Sequence, residues 1–283
     1  MNVVEFENVS KQRKNFSVRQ LNFAIPKGFI TGFIGPNGSG KTTTIQMMID
    51  ILQIDEGDIF IFGSPHKNEQ SKQNIGFVYD DLYMYEEMTI KKMKSFIAPL
   101  YDNWNEELFQ KYLDQFELPS TKKIKQFSKG MKMKCSLLFA LAHEPEFLVL
   151  DEPSAGLDPI FRQELLELLQ KLMVRESQTI FLSTHITTDL DKIADYIVFI
   201  NEGEIVLQQS SEAIHEHFHI VKGKHELLDA DTRTIFTGIK ESEIGFTALF
   251  EGDPTLFSDF ESELIIEKAS LEDIMYFIVK GGK

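Results

Sequence analysis

Apolar and polar positions change period several times along the chain, and each change marks an element. Residues 3–9 alternate weakly before the polar stretch 10–15, which predicts a strand and then a loop. Leu21-Asn22-Phe23-Ala24-Ile25 alternates like a half-buried strand and stops at Pro26. Residues 29–34 form a short apolar strand that runs straight into Gly35-Pro36-Asn37-Gly38-Ser39-Gly40-Lys41-Thr42, after which the apolar residues of 43–52 recur at helical spacing. Residues 58–62 and 75–79 predict further strands. From 89 to 143 the strand signal nearly vanishes, and helical stretches broken near Pro119 and Ser128 predict an inserted helical subdomain, about 85–143.

The strand signal returns as Phe147-Leu148-Val149-Leu150, fully apolar as buried parallel strands are. A helix over 159–174, a strand over 179–183, a helix over 187–194 and strands within 196–208 follow. Strands alternating with helices predict an α/β fold built on a parallel sheet. Beyond about residue 211 the pattern shifts: residues 219–283 carry thirteen acidic against seven basic side chains, with short strand signals and a closing helix over 271–280. The expected organisation is a main domain, 1–215, and a small C-terminal α+β appendage, 219–283.

Composition narrows the function. The 283 residues are 42% apolar with 24 Phe, enough for a substantial core, and no apolar run approaches the roughly 20 residues of a membrane helix. The opening residues lack a basic segment followed by an apolar one, so no signal peptide is expected. The single cysteine, Cys135, lies in an apolar run and predicts a buried, inert thiol in a reducing compartment. A net charge of −15 argues against general nucleic-acid binding, because phosphate contacts supply most of that affinity. Against this balance, Lys122, Lys123, Lys125, Lys129, Lys132 and Lys134 crowd one short stretch. A solvated face would explain them; their neighbours favour an anion-facing surface.

The chemistry-bearing residues come in order. Residues 35–42 match the phosphate-binding loop GxxxxGK[ST], set between a predicted strand and a predicted helix as its function requires. Its glycines let backbone N–H groups turn toward phosphates, and the helix start adds the positive end of its dipole. Lys41 is expected to reach the β- and γ-phosphates, Thr42 to ligate Mg²⁺ and Thr43 to touch the α-phosphate. The strand ending in Asp151-Glu152 places Asp151 beside that metal, and Glu152 then faces an attacking water. His215, His217 and His219 alternate as a strand face would, but nothing else nearby completes a metal set, so an incidental histidine-rich loop is the better reading.

These residues carry a family resemblance. GPNGSGKT at 35–42, FSKGM at 127–131, FLVLDEPSAGLD at 147–158 and STH at 183–185 resemble, in that order, the nucleotide-binding domain of ABC proteins over roughly residues 1–210. The resemblance implies a P-loop NTPase fold with a RecA-like parallel sheet, and ATP and Mg²⁺ as the bound species. It also implies head-to-tail pairing with a second ATPase subunit, in a homodimer or heterodimer. Each ATP would then lie between one subunit's phosphate loop, Gly35 through Thr43, and the other's signature segment, Ser128-Lys129-Gly130-Met131. Glu152 would be the general base, His185 would contact the γ-phosphate, and the turn ending at Asp158 would communicate across the dimer. Alone, His185 reads more simply as a strand-end histidine; its spacing from Glu152 within this motif set reverses that.

Three positions depart from the family. The signature usually has two glycines and a glutamine after its serine. Here Ser128 and Gly130 keep the hydroxyl and the close-approach glycine, while Lys129 adds a cation. The glutamine expected after strand 75–79 is Asp80, still able to ligate Mg²⁺. The aromatic that stacks on adenine falls near Gln12 or Arg13; Phe16 could replace it by a small shift, and it equally reads as a core phenylalanine. The segment 79–88, rich in Tyr and Met, corresponds to the region that receives a cytoplasmic helix of the membrane subunit. It equally reads as packing against the helical insert.

FSKGM and the ending Ala269-Ser270-Leu271-Glu272-Asp273-Ile274 resemble stand-alone ATPase subunits of bacterial drug, peptide and bacteriocin exporters. Within that group the chain is similar to Gram-positive exporters of amphipathic peptides, the staphylococcal phenol-soluble modulin system among them. The expected partner is a separate transmembrane permease, and the expected place is cytoplasmic, peripheral at the inner face of the membrane through that permease. A non-transport ABC ATPase and an ATP-binding regulatory subunit with weak hydrolysis are the competing readings.

Overall fold

The computed structural model describes residues 1–80, 85–174, 178–260 and 263–281. Two long alternating strands, β1 (Asn2–Gln12) and β2 (Ser17–Pro26), open the chain and pair antiparallel. Strand β3 (Ile30–Ile34) leads through the phosphate loop into helix α1 (Lys41–Met48). Next come β4 (Glu56–Ile61), the two-residue β5 (Ser64–Pro65), the short helix α2 (Glu69–Lys72) and β6 (Ile75–Val78).

The helical insert is α3 (Ile90–Ile97), α4 (Glu106–Gln115) and α5 (Lys129–Leu141). It is followed by β7 (Phe147–Asp151), α6 (Pro159–Met173), β8 (Thr179–Thr184), α7 (Thr187–Ile193), β9 (Tyr196–Asn201) and β10 (Glu204–Ser210). The C-terminal part comprises α8 (Ser211–His217), β11 (Phe218–Gly223), α9 (Ala230–Thr234), β12 (Phe236–Ser242), β13 (Gly245–Glu251), β14 (Ile265–Lys268) and α10 (Leu271–Gly281).

The central sheet runs β10-β9-β3-β8-β7-β6, parallel except for the edge strand β10. Its middle strands β3, β7 and β8 are buried along their whole length, as strands covered on both faces must be. A second sheet, β2-β1-β4-β5, is antiparallel. The expected parallel sheet is thus present, and this antiparallel sheet is added to it: β1 and β2 alternate because only one face is covered, and that face packs on the central sheet. Phe6, Phe23, Phe33 and Phe181 form the seam, with centroids 4.3–6.5 Å apart. Helix α1 begins two residues earlier than expected and stops at Met48, where the N–H groups of Ile51 and Leu52 fold back onto the Gln46 carbonyl.

The third sheet, β12-β13-β11-β14, is antiparallel and C-terminal. It is not loosely tethered. Helix α10 packs on β12 and on α7, and Leu271, Ile274 and Phe277 join the same buried cluster as Leu150 and Leu190. The histidine-rich loop expected at 215–219 is corrected, since His215 and His217 lie on α8 and His219 on β11. Cys135 is fully buried, and burial pushes its thiol up to about 12, as expected of an inert packing residue. Among the described residues no helix is long and apolar enough to cross a membrane.

Candidate nucleotide site

Parallel strands bring their carboxyl ends to one edge of a sheet, which is where α/β folds bind ligands. Here Ile34 of β3 pairs with Thr184 of β8, and Asp151 of β7 pairs with Ser183 of β8. The register therefore sets the phosphate loop, Asp151-Glu152 and His185 side by side, although they are far apart in sequence.

The loop itself is folded for an anion. Gly40, the N-cap of α1, has φ of 117° and offers no side-chain cap, so the first N–H groups of the helix have no side-chain partner there. A Cβ at Gly35 would lie 2.3 Å from the Ile200 carbonyl oxygen, so only glycine lets the loop pass β9. Lys41 is 6% exposed; its Nζ donates to the Gly35 carbonyl at 2.7 Å and lies 3.3 Å from Glu152 Oε1. The other carboxylate oxygen of Glu152 meets His185 Nδ1 at 2.7 Å and accepts from the His185 backbone N–H at 3.3 Å. Glu152 is thus suspended between the loop lysine and the strand-end histidine, on a backbone with φ of 49°.

A cavity of about 610 Å³ opens over this group. Phe16, Asn37, Gly38, Gly40, Lys41, Thr42, Thr43, Asp80, Lys129, Glu152 and His185 line it, as do Ala155 of the turn that ends at Asp158 and Asn15, which carries no sequence signal. Phe16 sits at the loop, where a Cβ on Gly40 would come within 3.0 Å of its ring. It is half-buried and also packs against the core between the two N-terminal sheets. Gly35, Pro36 and Ser39 stand behind the wall.

Asp151 lies under Thr42 at 3% exposure, and its Oδ1 has no hydrogen-bond partner. Burial pushes its carboxyl above the ordinary range, against hydrogen bonding from Thr42, and Asp80 and Glu152 add to the rise through charge. An orphaned buried carboxylate oxygen beside a hydroxyl and a second carboxylate suits a hard divalent cation. Among the described residues no group of three or more His, Cys, Asp or Glu converges on one point. That fits Mg²⁺, which usually keeps water and substrate phosphate among its ligands.

The signature residues point elsewhere. Ser128 caps α5, its Oγ accepting from Met131 N–H at 3.2 Å, and both Ser128 and Lys129 are exposed. Only Lys129 reaches the chain's own cavity, passing over the turn after β7, where a Cβ on Gly156 would lie 2.8 Å from its Nζ. Ser128, Gly130 and Met131 do not line it. Asp158 caps α6, accepting from the N–H groups of Ile160 and Phe161 at 3.1 and 3.0 Å.

The lysine run as an anion-facing surface is corrected. Lys123 and Lys125 both pair with Glu87, Lys132 with Glu86, and Lys134 lies 3.4 Å from Glu164. Backbone bonds from Ile124 to Met88 and from Lys125 to Glu86 bring Glu86 and Glu87 alongside, so four of the six lysines are paired within the chain, while Lys129 lines the cavity. Of segment 79–88, residues 81–84 lie outside the described residues. Tyr79 packs edge-on against Phe77, Tyr85 is exposed and Met88 packs against the core.

Known proteins are similar to this chain in sequence and in fold. A family model described as ABC transporter matches residues 18–155. A second, described as an AAA domain (putative AbiEii toxin, Type IV TA system), matches residues 121–190. The bacitracin transport ATP-binding protein BcrA of Enterococcus faecalis is 31% identical over 259 residues, 90% of this chain and 83% of the relative. The lantibiotic transport ATP-binding protein SrtF of Streptococcus pyogenes is 31% identical over 223 residues, 77% of this chain and 96% of the relative. A solved ATP-binding subunit of an ABC transporter is similar with a TM-score of 0.68 at 26% identity, over 75% of this chain and 92% of its own. The dimeric ATP-binding cassette MJ0796, in a post-hydrolysis state with ADP and Pi, shares the fold with a TM-score of 0.65 at 21% identity, over 73% of this chain and 98% of its own. With a phosphate loop, a buried strand-end carboxylate and these relatives, the chain belongs to the ATP-binding subunits of ABC transporters.

Proposed function

We propose that this chain hydrolyses ATP to drive a bacterial exporter of peptides or amphipathic toxic compounds. It would work as one of two ATPase subunits, identical or different, beneath a separate transmembrane permease. The observation that carries the hydrolytic reading is Glu152, held by Lys41 on one oxygen and His185 on the other at the mouth of the cavity. The exporter reading is supported by relatives named for bacitracin and lantibiotic transport. It places the protein on the cytoplasmic face of the membrane through its permease.

Each step belongs to a named side chain. A phosphate entering the loop draws Lys41 off the Gly35 carbonyl and off Glu152, which frees Glu152 Oε1 to accept the proton of an attacking water. His185 keeps the other oxygen fixed, so the base is already aimed when water arrives. Thr42 and Asp151, with Asp80 alongside, would hold Mg²⁺, which would supply neutralisation of charge on the phosphate oxygens. Phe16 offers a ring to the base, and Gly38, Gly40 and their neighbours supply N–H groups. The signature Ser128 and Gly130 close the site on the other subunit, with Lys129 as an added cation, and Asp158 lies at the joint. Residues 1–215 carry this machinery, and residues 219–283 form an appendage docked on α7.

Phosphate release, measured on the chain alone and on its complex with the permease, tests the proposal. Hydrolysis stimulated by the complex supports it, and a complex that binds ATP without turnover overturns it. Asp80 and Lys129, both at the cavity, favour a second reading as a slow, regulatory ATPase subunit. A rate that stays low until a different ATPase subunit is added would select it.

A further inference from the structure

Two side-chain contacts, not one, bridge the turn after β7 and the segment after β8. The first joins Glu152 to His185. The second lies deeper and nothing in the motifs announces it: Ser154 Oγ donates to Asp189 Oδ2 at 2.9 Å. Ser154 follows Glu152 by two residues and Asp189 follows His185 by four, so the contacts stand like successive rungs between the same two segments. Both members of the second rung are buried, Asp189 at 1% and Ser154 at 4% exposure. The remaining oxygen of Asp189 accepts from Arg162 Nε at 2.6 Å, and Arg162 Nη2 donates to Thr188 Oγ1 at 3.1 Å.

A buried carboxylate left unpaired is strongly destabilising, and Arg162 removes that penalty. Stability alone does not explain the arrangement, because well-packed apolar residues hold two segments together as firmly as a buried ion pair does. What the polar contacts add is a fixed register. Helix α7 begins at the N-cap Ile186 without a side-chain cap, two residues after Thr184 ends β8. Its first turn is therefore set by what Asp189 grips: the turn after Glu152 on one oxygen, and α6 on the other.

We propose that Asp189 and Ser154 are positioning residues for hydrolysis, holding α7 in the register that keeps His185 on Glu152. The turn that contains Ser154 ends at Asp158, the cap of α6, and Arg162 lies on the first part of that helix. A displacement of this turn by a second ATPase subunit therefore reaches His185 through Asp189, without passing through the nucleotide. The proposal rests on the reading of Glu152 and His185 as the hydrolytic pair.

The test compares Ser154→Ala, Asp189→Asn and the double variant of the full chain in its permease complex, measuring ATP turnover and equilibrium ATP affinity. Each single variant is expected to lower kcat about 10- to 100-fold, as misplacement of a reacting group does. ATP affinity should stay within about twofold, and the double variant should be little worse than the poorer single one, because both break one rung. Ser154→Ala removes one buried hydroxyl, so it carries the test if Asp189→Asn does not fold. Native turnover in Ser154→Ala overturns the proposal, as do losses that multiply in the double variant or that appear wholly in affinity. Glu152→Gln and His185→Ala run alongside separate the two failures. If those are inactive while Ser154→Ala is native, only the positioning claim falls. If Glu152→Gln turns over at the native rate, the hydrolytic reading falls instead.

Discussion

Two helix N-termini in this molecule look alike in sequence and behave differently in space. At α1 the loop lysine is buried and anchored on the loop's own carbonyls, and the first N–H groups have no side-chain cap. At α5 the N-cap Ser128 has already satisfied one N–H and lies exposed outside the cavity, which Lys129 alone of the signature residues reaches. The first is a receptor finished within the chain. The second is an exposed surface, with Ser128, Gly130 and Met131 outside the chain's own cavity. Under the proposed function this division has a consequence: a site shared between two chains would turn over only when they meet, tying hydrolysis to assembly.

The largest expected effect falls on the finished half. Lys41→Ala in the isolated chain should weaken ATP binding about 10- to 100-fold, the range for a lost hydrogen bond to a charged group, and take turnover to background. Equilibrium binding of a fluorescent ATP analogue reads it, and unchanged affinity would erase the contrast drawn above. Ser128→Ala should do the opposite. ATP affinity of the isolated chain should hold while turnover of the assembled complex drops about tenfold, and the lost cap should lower stability by about 1 kcal/mol. Loss of affinity in the isolated chain would mean that the signature serves its own cavity.

Next in size is the effect of Mg²⁺ with ATP on thermal stability. Burial raises the Asp151 carboxyl in the folded chain, so its ionised form weakens the ligand-free fold, and that penalty is relieved as pH falls through the raised value. Mg²⁺ favours the ionised form. The stabilisation by Mg²⁺-ATP, about 2.7 kcal/mol at a hundredfold excess over Kd, should therefore be full near neutral pH and shrink on acidification. A scanning-calorimetry series across pH with and without Mg²⁺ checks the sign; an increment that grows as pH falls would contradict it. The smallest effect is expected at Lys132→Ala, which removes an exposed ion pair with Glu86. Unfolding in urea should shift by less than about 1 kcal/mol, because water and salt screen such pairs.

Legibility followed locality. The phosphate loop and Asp151-Glu152 are contiguous patterns whose chemistry needs only neighbours in sequence, and the loop joins β3 to α1 while Asp151 ends β7. The antiparallel sheet was hidden because weak alternation in residues 3–9 says that one face is covered but not by what; its seam of Phe6, Phe23, Phe33 and Phe181 spans most of the chain. The lysine run misled for the same reason, since Glu86 and Glu87, which neutralise it, arrive from 36 or more residues away. Asp189 carried no signal either. On a short helix after His185 it reads as a solvated acid, and only the pairing of β7 with β8 brings Ser154 and Arg162 around it.

The central claim is that Glu152, poised between Lys41 and His185, takes the proton of the water that attacks ATP. The direct test is single-turnover phosphate release by Glu152→Gln in the permease complex, with bound ATP quantified in the same samples. The account predicts that ATP stays bound while phosphate release falls about 10²- to 10⁴-fold, the usual contribution of a positioned base. Release at the native rate would contradict it.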